Sequence, residues 1–173
     1  KIKEKDEKDY LFSVYGMPIL VKDNIDVAGM ATTAGAKLLE NNIPEYDAEV
    51  IMNLKEHGAI ILGKTNLSEW AYYFCGDCPS GYSAIGGQTL NPYGRETIDT
   101  GGSSSGSGVA VAANFAVAAL GSETAGSIVS PASQNSVVGY KPGTSLVTGG
   151  VIPISEYLDR VGPMTKNAQD NLI

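Results

Sequence analysis

Apolar residues in this chain come mostly in short unbroken runs set between polar tips, with one stretch at helical spacing. Met17-Pro18-Ile19-Leu20-Val21 stops at Lys22-Asp23-Asn24, and Ile25-Asp26-Val27 continues it before Gly29. A run of that kind predicts a buried strand leading into a polar tip. Beyond Asp47-Ala48-Glu49, the residues Val50, Ile51 and Leu54 share one helix face, so a helix is expected with Asp47 as its N-cap. His57-Gly58 closes it with a residue suited to the C-terminal dipole and then a C′ glycine. Residues 59–62 predict a second buried strand, and Asn66 opens a short helix reaching Trp70.

From 75 to 102 the sequence is rich in Gly, Pro, Asn, Ser and Thr and has no period, which predicts a long loop of the kind that carries function. After the Gly/Ser run 102–108, Val109-Ala110-Val111-Ala112-Ala113 predicts a helix of small residues packed closely on its neighbours. A strand over 116–120, a turn over 121–126 and a strand over 137–140 complete the pattern. Strands alternating with helices indicate an α/β layer architecture, and there is no internal repeat.

Composition narrows the class. The 173 residues are 43% hydrophobic, 18% charged and 8% aromatic, which fits about one globular domain. The 21 glycines exceed the usual share of about 7% and imply many turns or close backbone approaches. A net charge of −7 argues against direct nucleic-acid binding and against docking on anionic membranes. Residues 1–9 carry four lysines and four acids around Ile2, which reads as a solvated arm; the folded segment is expected over 10–173. No apolar segment follows those charges as in a signal peptide, so a cytoplasmic location is expected. No Met opens the sequence, which suggests an excised or processed piece.

Several motifs mislead. Gly58-Ala59-Ile60-Ile61-Leu62-Gly63-Lys64-Thr65 matches the phosphate-loop pattern, yet its intervening Ala-Ile-Ile-Leu is itself strand-forming and cannot curl its amides around an anion. Cys75-Gly76-Asp77-Cys78 has no second pair, and the single His57 leaves too few ligands for zinc, so ordinary loop cysteines are expected and no metal site. Asn66-Leu67-Ser68 fits a glycosylation acceptor without any sign of secretion. His57 suits a helix cap better than a catalytic triad.

With almost no histidine, a nucleophilic serine here needs another base. Lysine serves if its environment lowers its pKa, and Lys22, at the end of a buried strand, is the candidate. Two small-residue turns can meet it. One is Thr100-Gly101-Gly102-Ser103-Ser104-Ser105-Gly106-Ser107-Gly108; the other is Gly121-Ser122-Glu123-Thr124-Ala125-Gly126-Ser127-Ile128. The first reads equally as a Gly/Ser linker, although apolar segments follow it at once. In the second, successive amides can converge on a developing oxyanion.

These segments, in this order, resemble the amidase signature family. The likeness also takes in Gly16-Met17-Pro18-Ile19-Leu20-Val21-Lys22-Asp23-Asn24, Gly63-Lys64-Thr65-Asn66, Asn91-Pro92, Gly139-Tyr140-Lys141-Pro142 and Gly162-Pro163-Met164. It implies a mixed β-sheet flanked by helices and a Ser–cis-Ser–Lys triad, with Lys22 as base, Ser103 as bridging serine and Ser127 as nucleophile. Thr124, Ala125, Gly126 and Ser127 would supply the oxyanion-hole amides, and the Gly102–Ser103 peptide bond is expected to be cis. The reaction implied is hydrolysis of a carboxylic amide, from a small molecule or a peptide, through an acyl-enzyme and without a cofactor.

Two departures from the family pattern stand out. A serine replaces one glycine near Ser105-Gly106, and Val129 stands where many members carry arginine. These variations are similar to the branch of peptide amidases and certain bacterial amidases. Family members are also longer, which implies an incomplete core, exposed apolar surface and possible homo-oligomers. The alternatives are an amidotransferase subunit that passes ammonia to an acyl-tRNA, and a non-catalytic fragment.

Overall fold

The computed structural model describes residues 13–143 and 149–173. The charged arm expected over 1–9 lies outside the described residues. Five strands form the main sheet: β1 (Pro18–Lys22), β2 (Ile60–Thr65), β5 (Ala118–Glu123), β6 (Val138–Gly139) and β7 (Arg160–Thr165). Their order is β2-β1-β5-β7-β6, with β2, β1 and β5 parallel and β7 antiparallel to both β5 and β6. A short hairpin, β3 (Tyr82–Ser83) with β4 (Gly87–Gln88), stands apart. The helices are α1 (Glu49–Glu56), α2 (Ser105–Ala112), α3 (Val129–Gln134) and α4 (Ala168–Asn171). The fold is thus α/β with a mixed sheet.

Strand alternation sends Ile19, Val21, Leu120 and Val161 to one face, where they pack with Ile25, Val27 and Ile51 of α1. On the opposite face Met164 packs with Ile128 and Ala132 of the α3 segment. Helix α2 also lies there, and its small residues let it sit close. A Cβ on Gly106 would come within 2.5 Å of the Asn66 carbonyl oxygen, so this helix turn must be glycine to dock.

The structure revises several local expectations. Ala48 is the N-cap of α1 without a side-chain bond. Asp47 instead accepts from the Ala28 amide and pairs with Lys55 at 2.7 Å, because a salt bridge and a loop amide satisfy its carboxylate together. His57 does end α1, its Nδ1 on the Asn53 carbonyl at 2.7 Å. The short helix expected over 66–70 is a 3-10 turn at Glu69–Tyr72, with Trp70, Ala71 and Tyr72 at positive φ. The Asn66 side chain leaves the helical path to bond Gly81, Ser83, Gly87 and Thr89 across the hairpin.

Strand β5 runs on to Glu123, through part of the expected turn, because Gly121 and Ser122 lie flat under Ser104. Strand β7 carries no strand signal in the sequence, since Gly162-Pro163 reads as a break. It is accommodated because the β6 ladder ends opposite Met164, leaving Pro163 to accept from the Tyr140 amide. Cys75 and Cys78 are joined in a disulfide rather than standing as separate loop thiols.

Candidate active site

The carboxyl ends of the parallel strands β1 and β5 meet the start of α2, and the candidate residues gather there. Lys22 is the last residue of β1 and is fully buried. Its Nζ lies 2.7 Å from Ser103 Oγ, 2.9 Å from Ser122 Oγ and 3.1 Å from the Ser122 carbonyl oxygen. Burial lowers its pKa from 10.5 to about 7, although the negative charges of Asp159 and Glu123 pull the other way. No carboxylate lies within salt-bridge distance of this amine among the described residues.

Ser103 stands just before Ser104, the N-cap of α2, and is wholly buried. The Gly102–Ser103 bond is cis. Gly102 has no room for a side chain: a Cβ would collide with the Tyr72 hydroxyl and stand 2.5 Å from Ser68 Oγ. The Ser103 carbonyl accepts from the Ser68 amide, and the next residue, Ser104, donates its amide to the Ser127 carbonyl at 3.1 Å. That bond clamps the two small-residue runs side by side.

Ser127 sits in the turn between β5 and α3. Its hydroxyl bonds no other described residue, and it lines a cavity of about 560 Å³ together with Ser103 and Ser122. Thr124 lines the same space, whereas Ala125 and Gly126 do not. The turn is braced from both sides. Thr124 Oγ1 donates to Asp159, whose other oxygen takes the amides of Ile154 and Ser155. Lys141 Nζ donates to the Thr124 carbonyl at 2.6 Å.

Glu123 accepts from the amides of Ile128 at 2.7 Å and Val129 at 3.0 Å, with Lys141 3.8 Å away. Burial raises the pKa of its carboxyl, but the Val129, Ile128 and Gly126 amides and Lys141 outweigh that and hold it below the ordinary value. Of the four amides expected around an oxyanion, that of Gly126 therefore leans on Glu123. The amides of Ala125 and Ser127 bond no other described residue.

Sequence reasoning missed Ser122 and Asn24. Ser122 gives Lys22 two of its three contacts, and Asn24 Nδ2 donates to Ser122 Oγ at 2.9 Å. A hydroxyl on a strand paired with the lysine's own strand was the available signal. The phosphate-loop match is strand β2, and its Lys64 binds the Ile25 carbonyl, Thr32 Oγ1 and Asp23. Among the described residues no three His, Cys, Asp or Glu gather as metal ligands, and no helix is long and apolar enough to cross a membrane.

Comparison with known proteins bears on this geometry. The model of the family Amidase matches residues 1–173. A protein named probable amidase from Arabidopsis thaliana is 46% identical over 159 residues, covering 91% of this chain and 31% of that protein. The A-type subunit of glutamyl-tRNA(Gln) amidotransferase from Methanocaldococcus jannaschii is 45% identical over 171 residues, covering 98% of this chain and 38% of that one. The crystal structure of native peptide amidase from Stenotrophomonas maltophilia superposes with a TM-score of 0.87 at 48% identity, over 91% of this chain and 32% of that chain. The chain thus spans about a third of the length of the relatives it matches.

Proposed function

Since the chain belongs to the amidase signature family, we propose that it carries the reaction centre of an amide hydrolase, with Ser127 as nucleophile, Ser103 as bridge and Lys22 as base. The observation that carries this reading is the buried contact of Lys22 Nζ with Ser103 Oγ at 2.7 Å, beside the cavity that Ser103 and Ser127 share.

Proton counting supports it. A neutral amine offers two N–H groups and one lone pair. The Ser122 carbonyl only accepts, so it takes one N–H, and the Ser122 hydroxyl takes the other. The lone pair is left for the Ser103 hydroxyl, which in turn receives the Ser127 proton. Ser127 Oγ then bonds the amide carbon as the carbonyl pair moves onto oxygen, and Lys22 becomes an ammonium. The amides of Thr124 and Ser127, residues that line the cavity, hold the oxyanion; those of Ala125 and Gly126, set back from it, contribute less, and Glu123 also competes for the Gly126 N–H. Such donors are worth about 3–4 kcal/mol each. On collapse the C–N bond breaks, and the proton returns through Ser103 to the departing ammonia or amine. Water repeats the relay to free the acid and regenerate Ser127.

The test is ammonia release from simple aryl and alkyl primary amides, with intact-mass detection of an acyl adduct. Turnover that disappears in Ser127→Ala and in Lys22→Ala agrees with the proposal; unchanged turnover in either contradicts it. A folded chain without turnover supports the non-catalytic reading. The 45% identity to an amidotransferase subunit over nearly the whole chain favours a second reading, in which the released ammonia passes to an acyl-tRNA held by other subunits. Ammonia release that appears only when those subunits are added would select it.

A further inference from the structure

We propose that the turn carrying Trp70, Tyr73 and Phe74 forms an uncharged subsite beside the reaction cavity, and that it receives an aromatic or other bulky apolar group carried by the substrate amide. The inference rests on the amide-hydrolase reading. A second cavity of about 220 Å³ adjoins the first: Asn24, Ala71 and residues 152–154 wall both. Beyond that shared wall it is bounded by Ala34 and the three aromatic rings, and among the described residues no acid, lysine or arginine lines it. Its size suits one ring rather than an extended ligand.

The rings are arranged, not scattered. Phe74 meets Trp70 edge-on at 5.4 Å and Tyr73 edge-on at 5.0 Å. Trp70, Ala71 and Tyr72 lie at φ 51°, 51° and 70°, a left-handed turn that side chains rarely adopt. The turn is pinned to the site itself. Trp70 donates its amide to the Ala34 carbonyl at 2.8 Å, Ser68 donates to the Ser103 carbonyl at 3.0 Å, and Tyr72 donates to Ser80 Oγ at 2.8 Å. Tyr73 and Phe74 are 62% and 72% exposed, and both line the second cavity.

Trp70 is the only tryptophan, so its emission reports occupancy. Ser127→Ala protein, in which the probes stay intact, is titrated with N-acetylphenylalaninamide, N-acetylglycinamide and the α-amide of N-acetylaspartate. The expected result is a shift in Trp70 emission with the phenylalanine compound at least about tenfold tighter than the other two. In Ser127→Ala/Phe74→Ala that preference falls about tenfold, while circular dichroism is unchanged because Phe74 is exposed. Equal binding of the three probes, no binding, or a preference that survives loss of Phe74 overturns the proposal. Hydrolysis by the wild-type chain is scored separately. Turnover without preference sinks the subsite alone, and preference without turnover sinks the hydrolase reading alone.

Discussion

Two lysines sit on neighbouring parallel strands, Lys22 paired with Thr65 and Lys64 paired with Val21, and they have opposite surroundings. Both are drawn below the ordinary lysine pKa by burial. Lys64 has Asp23 at 3.4 Å and two carbonyls and a hydroxyl around it, so its charge is compensated and it fastens the loop after β1. Among the described residues Lys22 meets the hydroxyls of Ser103 and Ser122 and one carbonyl, with Asp159 and Glu123 acting on it as more distant charges. Burial alone therefore does not separate the two lysines. What distinguishes Lys22 is burial without a carboxylate in contact, which carries its pKa to about 7.

The largest way to break the contrast is to remove each amine. Lys22→Met is expected to lower kcat by at least about a thousandfold, since the proposed base and relay vanish together. Lys64→Met is expected to lower stability while folded protein keeps its turnover, as read by urea titration and ammonia release. Giving Lys22 the kind of neighbour Lys64 has comes next. Under the proposed mechanism, in which the free amine is the active form, wild-type kcat/KM should rise with pH through about 7. Ser122→Asp should favour the ammonium and move that rising limb upward by more than one pH unit, costing about tenfold or more at pH 7.

The reverse exchange has a smaller effect. Asp23→Asn removes the carboxylate from Lys64 and should cost about 1–3 kcal/mol in urea unfolding, with the limb of kcat/KM left near 7. Of the two variants expected to move the limb, Asp159→Asn should have the smaller effect. Its negative charge favours the ammonium form of Lys22, so its loss should shift the limb downward by less than one unit.

The same distinction separates what was legible in the sequence from what was not. Strands β1 and β2 and helix α1 follow from local runs and periodicity, because each buries a face its own residues define. Strand β7 does not, since Gly162 and Pro163 deny it any strand signal and only its partners β5 and β6 make it one. Glu123 and Ser122 likewise read as turn residues until the sheet extends under them. For the site, an apolar run ending at Lys22 is visible in the chain, and the family likeness pairs it with Ser103 and Ser127. That Ser122 supplies two of the three lysine contacts depends on which strands lie side by side, and Asn24 acts only through Ser122. The aromatic set Trp70, Tyr72, Tyr73 and Phe74 reads in the sequence either as pocket lining or as core, and the structure leaves Tyr73 and Phe74 exposed.

The claim on which the rest depends is that Lys22 is substantially uncharged at neutral pH. Nuclear magnetic resonance of isotopically labelled lysine side chains, with the Lys22 signal assigned by its absence from Lys22→Arg, measures this directly. A titration midpoint near 7 is the predicted result; a Lys22 signal that stays protonated to pH 9 or above would contradict it.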